Sequence, residues 1–237
     1  MKFISTGGLG DAFIVFLKLK DQEKLDSWLH VESNDLIRKP CEVLFDVGGH
    51  FEYEFASYPS FSFENDPDYI QSYKSGKWKE FIPVSSGQDL WCPLKGKTKI
   101  EMKNPFIRKI EDVEKRRFDV CIQTSAGAKN NRNWWFSPLI LAELCRKKGL
   151  KVAIVGTDEK SFDLKDNDNF VGKFSLDSVL CVINNSKYFV GLSGFLNYYA
   201  CAAKVANAHL VESGEHEKRY YHSEWKSDPM QFGSLGE

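Results

Sequence analysis

The 237-residue sequence has almost no net charge and no long apolar run. A formal net charge of −1 gives the whole molecule no field that would attract nucleic acid or an anionic membrane surface. No apolar stretch is long enough to cross a membrane. The start, MKFISTGGLGDAF, is broken by glycines and an aspartate where a signal peptide needs an apolar core. We therefore expect a cytoplasmic protein without stable insertion into a membrane.

The chain has six cysteines and five histidines, but they lack the sequence spacing that metal-binding motifs show. No two cysteines are separated by two residues, so neither a zinc site nor a disulfide framework is indicated. The stretch 209–225 places three histidines among glutamates, but their spacing matches no established site and instead predicts a polar closing helix. These histidines are His209, His216 and His222. We expect no metal and no cofactor.

The composition, 42% hydrophobic and 27% charged, is typical of a globular protein, and its clearest pattern lies in the second half. Short β-branched or apolar runs alternate there with helix-length amphipathic stretches. The predicted strands cover 118–127, 151–156, 187–192 and 208–213, and the predicted helices cover 134–149, 175–186 and 195–205. Strands that alternate with helices predict a parallel, doubly wound α/β sheet.

The first half begins in the same style, with a predicted strand at 2–6, a helix at 11–20 and a second strand at 42–48. Ten aromatic residues then follow within 51–81. Residues 95–117 hold nine lysines or arginines against four acidic residues and form a basic connection. We place a domain boundary near residue 115, which gives an aromatic-rich, reduced α/β domain at 1–115 and a second α/β domain at 116–237.

A glycine-rich turn, ISTGGLGDAF, connects the first strand to the first helix. Glycines at such a turn let a ligand approach the amide groups of the helix N-terminus. The dinucleotide-binding fingerprint is excluded because Phe13 stands where its third glycine should be, and a P-loop is excluded because no Gly-Lys-Ser/Thr follows. Asp11 would repel a phosphate at this place. From the residues alone, Asp11 is either an N-cap of the helix or a group that does chemistry.

Three later segments follow the GGLGD turn in a particular order: TSAGAKNNRNWW, VGTDEK and NNSKYFVGLSGFLNYYACAA. In order and spacing, the four segments resemble the heptosyltransferase-like glycosyltransferases of family 9. The resemblance implies the GT-B architecture, in which two Rossmann-like halves with parallel sheets face a cleft, here in a compact form. It also implies an enzyme that moves a sugar from a nucleotide-sugar donor to the hydroxyl of a glycan or another acceptor, without a metal and with inversion.

The resemblance also implies roles for individual residues. Asp11 matches the general base that takes the proton of the acceptor hydroxyl. The basic pair Lys129 and Arg132 matches the residues that stabilise the departing nucleoside diphosphate, and Asp158 matches the acid that meets the ribose hydroxyls. The remaining donor-binding positions are small residues. Gly8 and Gly10 belong to the first turn, and the loops that face the phosphates contribute Thr124, Ser125, Gly127, Ser193 and Gly194.

Two departures from the family pattern keep a different function open. The late Ser-Gly turn usually carries an aspartate before it and a histidine after it, but here these places hold Leu192 and Asn197. A non-catalytic module that binds a nucleotide or a sugar is therefore an alternative. The basic run at 95–117 suggests another, a phage-type transferase that modifies nucleic acid, although a solvated linker is the simpler interpretation. The aromatic residues at 51–81 form either a core or an acceptor wall.

Overall fold

The computed structural model describes residues 1–32, 51–55, 76, 78–84, 86, 118–125, 137–156, 169–172, 175–211, 225 and 227–231. The chain divides into two units, Met1–Asn104 and Pro105–Glu237. This division falls a little ahead of the boundary that composition predicts near residue 115, which itself lies outside the described residues. Each unit contains a sheet of its own.

The first unit is built on a four-stranded parallel sheet with the order β3-β2-β1-β4. Strand β1 sits inside the sheet, with Lys2 opposite Ser27 on one side and Phe3 opposite Ile82 on the other. Helix α1 packs six of its apolar side chains into the core. The elements are β1 (Lys2–Thr6), α1 (Leu9–Leu19), β2 (Ser27–Glu32), β3 (Phe51–Phe55) and β4 (Ile82–Pro83).

The second unit is built on a five-stranded parallel sheet with the order β6-β5-β7-β8-β9. Its described elements are β5 (Phe118–Gln123), α2 (Pro138–Lys147), β6 (Val152–Val155), α3 (Leu176–Asn184), β7 (Ser186–Leu192), α4 (Phe195–Ala202), β8 (Ala206–Val211) and β9 (Ser227–Gln231). Every residue of β6 is buried, as expected for a parallel strand covered on both faces. The predicted class, α/β with two parallel, Rossmann-like sheets, is confirmed.

Sequence patterns missed some strands and placed one helix wrongly. Strand β2 was not predicted because Ser27 and His30 interrupt its apolar pattern, yet both side chains are buried. Strands β3, β4 and β9 were not predicted either, and the predicted strand at 42–48 lies outside the described residues. The predicted polar helix at 209–225 is wrong at its start, because β8, which was predicted as a strand at 208–213, pairs with β9 as far as Val211.

Each sheet contains a point where the strand order reverses. In the first unit the chain passes from β1 outward through β2 and β3, and then returns to place β4 on the other side of β1. In the second unit the same reversal lies between β5 and β7. Open parallel sheets bind ligands outside the carboxyl ends of the strands at such points, so the loops after these four strands position the site.

Among the described helices, none combines the length and the apolar character that a membrane span requires. Of the aromatic residues predicted as core or acceptor wall, Trp78 is buried and Phe51 packs on Trp28 with ring centroids 4.8 Å apart. The core interpretation holds for Trp78, and Phe51 is half-buried against a core residue.

Candidate functional site

The turn after β1 brings Asp11 back against the backbone that precedes its own helix. Gly8 is the N-cap of α1, and Asp11 is the third residue of the helix rather than its N-cap. The Gly8 N–H donates a hydrogen bond to Asp11 Oδ2 at 3.0 Å. Gly7 has a φ of +119°, and a Cβ there would lie 2.7 Å from the Asp11 side chain. Only glycine therefore fits at residue 7 beside this carboxylate.

The second oxygen of Asp11 contacts the loop that follows β4, across the reversal point of the first sheet. The Ser86 hydroxyl donates a hydrogen bond to Asp11 Oδ1 at 2.6 Å. Lys18, seven residues after Asp11 on α1, donates from Nζ to the Ser86 carbonyl oxygen at 3.2 Å. Two helical turns place residues 11 and 18 on one face. Helix α1 thus contacts Ser86 at two points.

Lys18 is buried, although it carries an ammonium group. Only 9% of the residue is exposed, and this burial lowers the pKa of Lys18 to about 8. Its side chain therefore remains protonated in most molecules at neutral pH. A proton on Nζ keeps the hydrogen bond to the Ser86 carbonyl charge-assisted.

A buried chain of hydrogen bonds fixes the carbonyl group of Gly7. His30 Nε2 lies 2.8 Å from the Gly7 oxygen, and Nδ1 lies 2.9 Å from the Ser5 hydroxyl, which also accepts a bond from Trp28 Nε1 at 2.7 Å. Because a carbonyl can only accept, Nε2 carries the hydrogen and Nδ1 accepts from Ser5. Burial lowers the pKa of His30 to about 4, although the bond to Gly7 opposes this shift. His30 is therefore neutral at pH 7.

In the second unit, one buried amide links the loops after β5 and β7. Gln123, at the end of β5, donates from Nε2 to the Ser125 carbonyl oxygen at 3.0 Å. Its Oε1 accepts the N–H of Leu192, at the end of β7, at 3.2 Å. Gln123 thus ties together the two strand ends that flank the reversal point of the second sheet.

Two predicted donor-binding residues follow Gln123. Thr124 is buried, and its hydroxyl donates to the Val155 carbonyl oxygen at 3.2 Å, so this side chain supports the loop from the sheet side. Ser125 is half-buried. A Cβ on Gly156 would lie 2.3 Å from Thr124 Oγ1 and 2.9 Å from Ser125 Oγ, so the end of β6 packs closely on both hydroxyls.

The turn after β7 opens directly into a helix N-terminus. Ser193 is buried, and Gly194, the N-cap of α4, has φ 156° and ψ −164°. This region of backbone conformation is essentially confined to glycine. The first amide groups of α4 follow, and their partial positive charge favours an anion.

The residue that replaces the expected histidine faces the protein interior. Asn197 is fully buried on α4 and donates from Nδ2 to Asn207 Oδ1 at 3.1 Å. The Cys201 thiol donates to the same Asn207 oxygen at 3.5 Å. Leu192 is also buried. Both departures from the family pattern are thus packed side chains, and Asn197 is hydrogen-bonded within its own unit.

The predicted site residues separate into two described groups and one group outside the described residues. Gly8, Gly10 and Asp11 lie in the turn after β1, and four others follow β5 and β7, namely Thr124, Ser125, Ser193 and Gly194. Gly127, Lys129, Arg132 and Asp158 lie outside the described residues. Within the described ranges, no three histidine, cysteine, aspartate or glutamate residues converge as metal ligands would.

Sequence reasoning did not find four contributors to these two groups: Ser86, Lys18, His30 and Gln123. A lysine within the apolar pattern of α1 is a signal that the sequence contains, because lysine is rarely buried without a reason. His30 lies in a strand that the sequence pattern does not predict. Ser86 gives no such signal. Its contact with Asp11 joins residues 75 positions apart.

No protein-family model matches the sequence, and no curated protein is found as a relative. Solved structures do match. Heptosyltransferase II of E. coli, an ADP-heptose lipopolysaccharide transferase, aligns over 99% of this chain and 91% of its own, with a TM-score of 0.62 and 12% identity. The family 9 glycosyl transferase of Veillonella parvula aligns over 97% and 85%, with a TM-score of 0.55 and 10% identity.

A third structure is the heptosyltransferase TibC of enterotoxigenic E. coli, described as dodecameric and iron-containing and solved with ADP-D-beta-D-heptose. It aligns over 99% of this chain with a TM-score of 0.50 and 14% identity, and this chain spans 63% of its length. At these identities the matches show the fold. The chain has the GT-B-like fold of the family 9 heptosyltransferases, as the sequence resemblance predicts.

Proposed function

We propose that the protein is a glycosyltransferase that moves a sugar from a nucleotide-sugar donor to an acceptor hydroxyl. The observation that carries the proposal is the Asp11 carboxylate, which lies at the reversal point of the first sheet and is oriented by Gly8 and Ser86. The fold shared with nucleotide-sugar transferases supports the same function.

Asp11 would act as the general base. As the acceptor oxygen forms its bond to the anomeric carbon, the hydroxyl proton passes to the carboxylate. An ionised carboxylate can accept about four hydrogen bonds. The bonds from Gly8 and Ser86 are therefore compatible with a third bond, donated by the hydroxyl group of the substrate that receives the sugar. Attack from the face opposite the leaving group inverts the anomeric configuration.

The second unit would hold the donor. The bond from the anomeric carbon to the diphosphate breaks as the new bond forms, and negative charge collects on the nucleoside diphosphate. The N-terminal amides of α4 and the side chains of Lys129 and Arg132 would stabilise this charge without a metal, together with Gly127. Asp158 would meet the ribose hydroxyls. ADP-sugars are the first donors to test, because TibC was solved with ADP-heptose.

A thermal-shift panel of ADP-, UDP- and GDP-sugars and their diphosphates tests the donor half of the proposal. A ligand at 100 times its dissociation constant stabilises the folded state by about 2.7 kcal/mol, which is readily seen as a rise in Tm. We expect one nucleotide family to stabilise the wild type and to lose most of this effect in Lys129→Ala. Lys148→Ala, at the exposed end of α2, is the matched control and should respond like the wild type. No shift with any donor would contradict the proposal.

A non-catalytic nucleotide- or sugar-binding module is the second candidate. It is favoured by Leu192 and Asn197, which are packed in the interior where the family pattern has an aspartate and a histidine. Such a module would bind the donor but transfer nothing, and Asp11→Asn would leave its biological activity intact.

The nucleic-acid alternative predicts salt-dependent retention on DNA that charge reversal at Lys95, Lys97 and Lys99 abolishes.

A further inference from the structure

We propose that Ser86 is a positioning residue for Asp11, and that Lys18 fixes Ser86 in place. The inference rests on the proposed function, in which Asp11 must be ionised and correctly oriented when the acceptor arrives. It adds to that function a pair of residues, one in a loop and one a buried lysine, that hold the Asp11 carboxylate in position.

The Ser86 contact has the geometry of a hydroxyl that donates a hydrogen bond to a carboxylate. The 2.6 Å distance between Ser86 Oγ and Asp11 Oδ1 lies within the range of a hydroxyl that donates to an ionised carboxylate. A hydrogen bond of this kind favours the charged form of the acceptor. It also restricts rotation of the carboxylate, whose other oxygen is held by the Gly8 N–H.

The position of Ser86 itself depends on α1. The residue follows the two-residue strand β4, whose pairing with β1 continues through the bond from the Val84 N–H to the Ile4 carbonyl oxygen at 2.8 Å. Beyond Val84, the Lys18 ammonium holds the Ser86 carbonyl at 3.2 Å while the Ser86 hydroxyl reaches Asp11. One residue of the loop is therefore held through its backbone by one end of the helix and through its side chain by the other.

Among the described residues of the first unit, Lys18 and His30 are titratable groups that face this arrangement from the packed elements. Lys18 faces it from α1 and is positively charged at neutral pH, because burial lowers its pKa only to about 8. His30 faces it from β2 through the Gly7 carbonyl and is neutral at pH 7. Over the acid range in which a carboxylate titrates, Lys18 keeps a constant charge. The His30 pKa of about 4 falls within this range, so the titration is repeated in His30→Gln as a control.

Carboxyl-carbon NMR of the full chain labelled with [13C]aspartate tests the inference without any substrate. The resonance that disappears in Asp11→Asn belongs to Asp11, and its titration is then followed in the wild type, Ser86→Ala, Ser86→Thr and Lys18→Met. Ser86→Ala removes a hydrogen bond to a charged acceptor, and this loss should raise the midpoint of the Asp11 titration by about one pH unit. Lys18→Met should move it in the same direction, whereas Ser86→Thr, which keeps the hydroxyl, should match the wild type.

The controls separate positioning from a general effect on folding. Ser178→Ala removes a hydroxyl from the second unit and should leave the Asp11 midpoint unchanged. An unchanged midpoint in folded Ser86→Ala overturns the inference, whatever Lys18→Met shows. If Ser86→Ala does not fold, an unchanged midpoint in Lys18→Met overturns it. Because no substrate is used, failure here leaves the proposed transferase activity untouched, and failure of that activity leaves the titration result standing.

Discussion

At the scale of single residues, Asp11 combines a structural contact with a proposed chemical role. Its bond to the Gly8 N–H satisfies one of the amide groups that a helix N-terminus leaves without a helical partner. An asparagine at this place keeps an oxygen that can accept the same bond, but it cannot take up a proton. Asp11→Asn therefore separates the two roles, because it preserves the cap of α1 and removes the base.

His30 gives a residue-scale prediction about stability and pH. Its pKa is lowered from 6.5 to about 4 by burial, so the unfolded chain binds more protons than the folded chain between these values. The contribution of His30 to the free energy of unfolding is therefore fully present above pH 6.5 and decreases as the pH falls towards 4. This loss is on the order of 3.5 kcal/mol, since the shift is about 2.5 units and each unit corresponds to about 1.4 kcal/mol.

Urea unfolding of the wild type and His30→Gln at a series of pH values measures this contribution. The variant is expected to be less stable at pH 7, because the bond from Nε2 to Gly7 is disturbed, but its stability should depend less steeply on pH between 6.5 and 4. Parallel curves for the two proteins would show that His30 titrates normally in the folded state.

At the scale of elements, most strands of the second unit were predictable from the sequence and most strands of the first unit were not. Strands β1, β5, β6, β7 and β8 and all four described helices follow sequence patterns that predict them. Strand β2 does not, because Ser27 and His30 are polar. Hydrogen bonds to Ser5 and Gly7 make His30 acceptable in the interior, and such partners are visible only after folding.

Gln123 gives the element-scale prediction, because it links the ends of β5 and β7. Gln123→Leu would leave the Ser125 carbonyl and the Leu192 N–H without this partner, at a cost of about 2 kcal/mol in the free energy of unfolding. The loops after both strands would also be less fixed, so we expect weaker donor binding. Gln123→Glu keeps the acceptor for the Leu192 N–H but buries a carboxylate against the Ser125 carbonyl oxygen, so it should be at least as destabilising as Gln123→Leu.

Urea unfolding and donor-induced Tm shifts measure these two effects separately. An unchanged donor shift in a destabilised Gln123→Leu protein would show that the link serves stability alone.

At the scale of the whole molecule, both units place their described candidate residues at the point where the strand order reverses. The fold class and the Asp11 turn were predictable, since a strand, a glycine turn and an acid at a helix start are adjacent in the sequence. The support around Asp11 was not, because Ser86 reaches it only when β4 pairs with β1. The same holds for Gln123, whose link to Leu192 depends on the pairing of β5 with β7.

The central claim is transfer of a sugar with Asp11 as the base, and the direct measurement is mass-spectrometric detection of transfer from each stabilising nucleotide sugar to an array of glycan acceptors. We predict transfer by the wild type and a loss of at least about 100-fold in Asp11→Asn, the usual contribution of a general base. The donor-induced rise in Tm should be kept in this variant. Equal transfer by Asp11→Asn, or donor binding with no transfer to any acceptor by the wild type, would contradict the account.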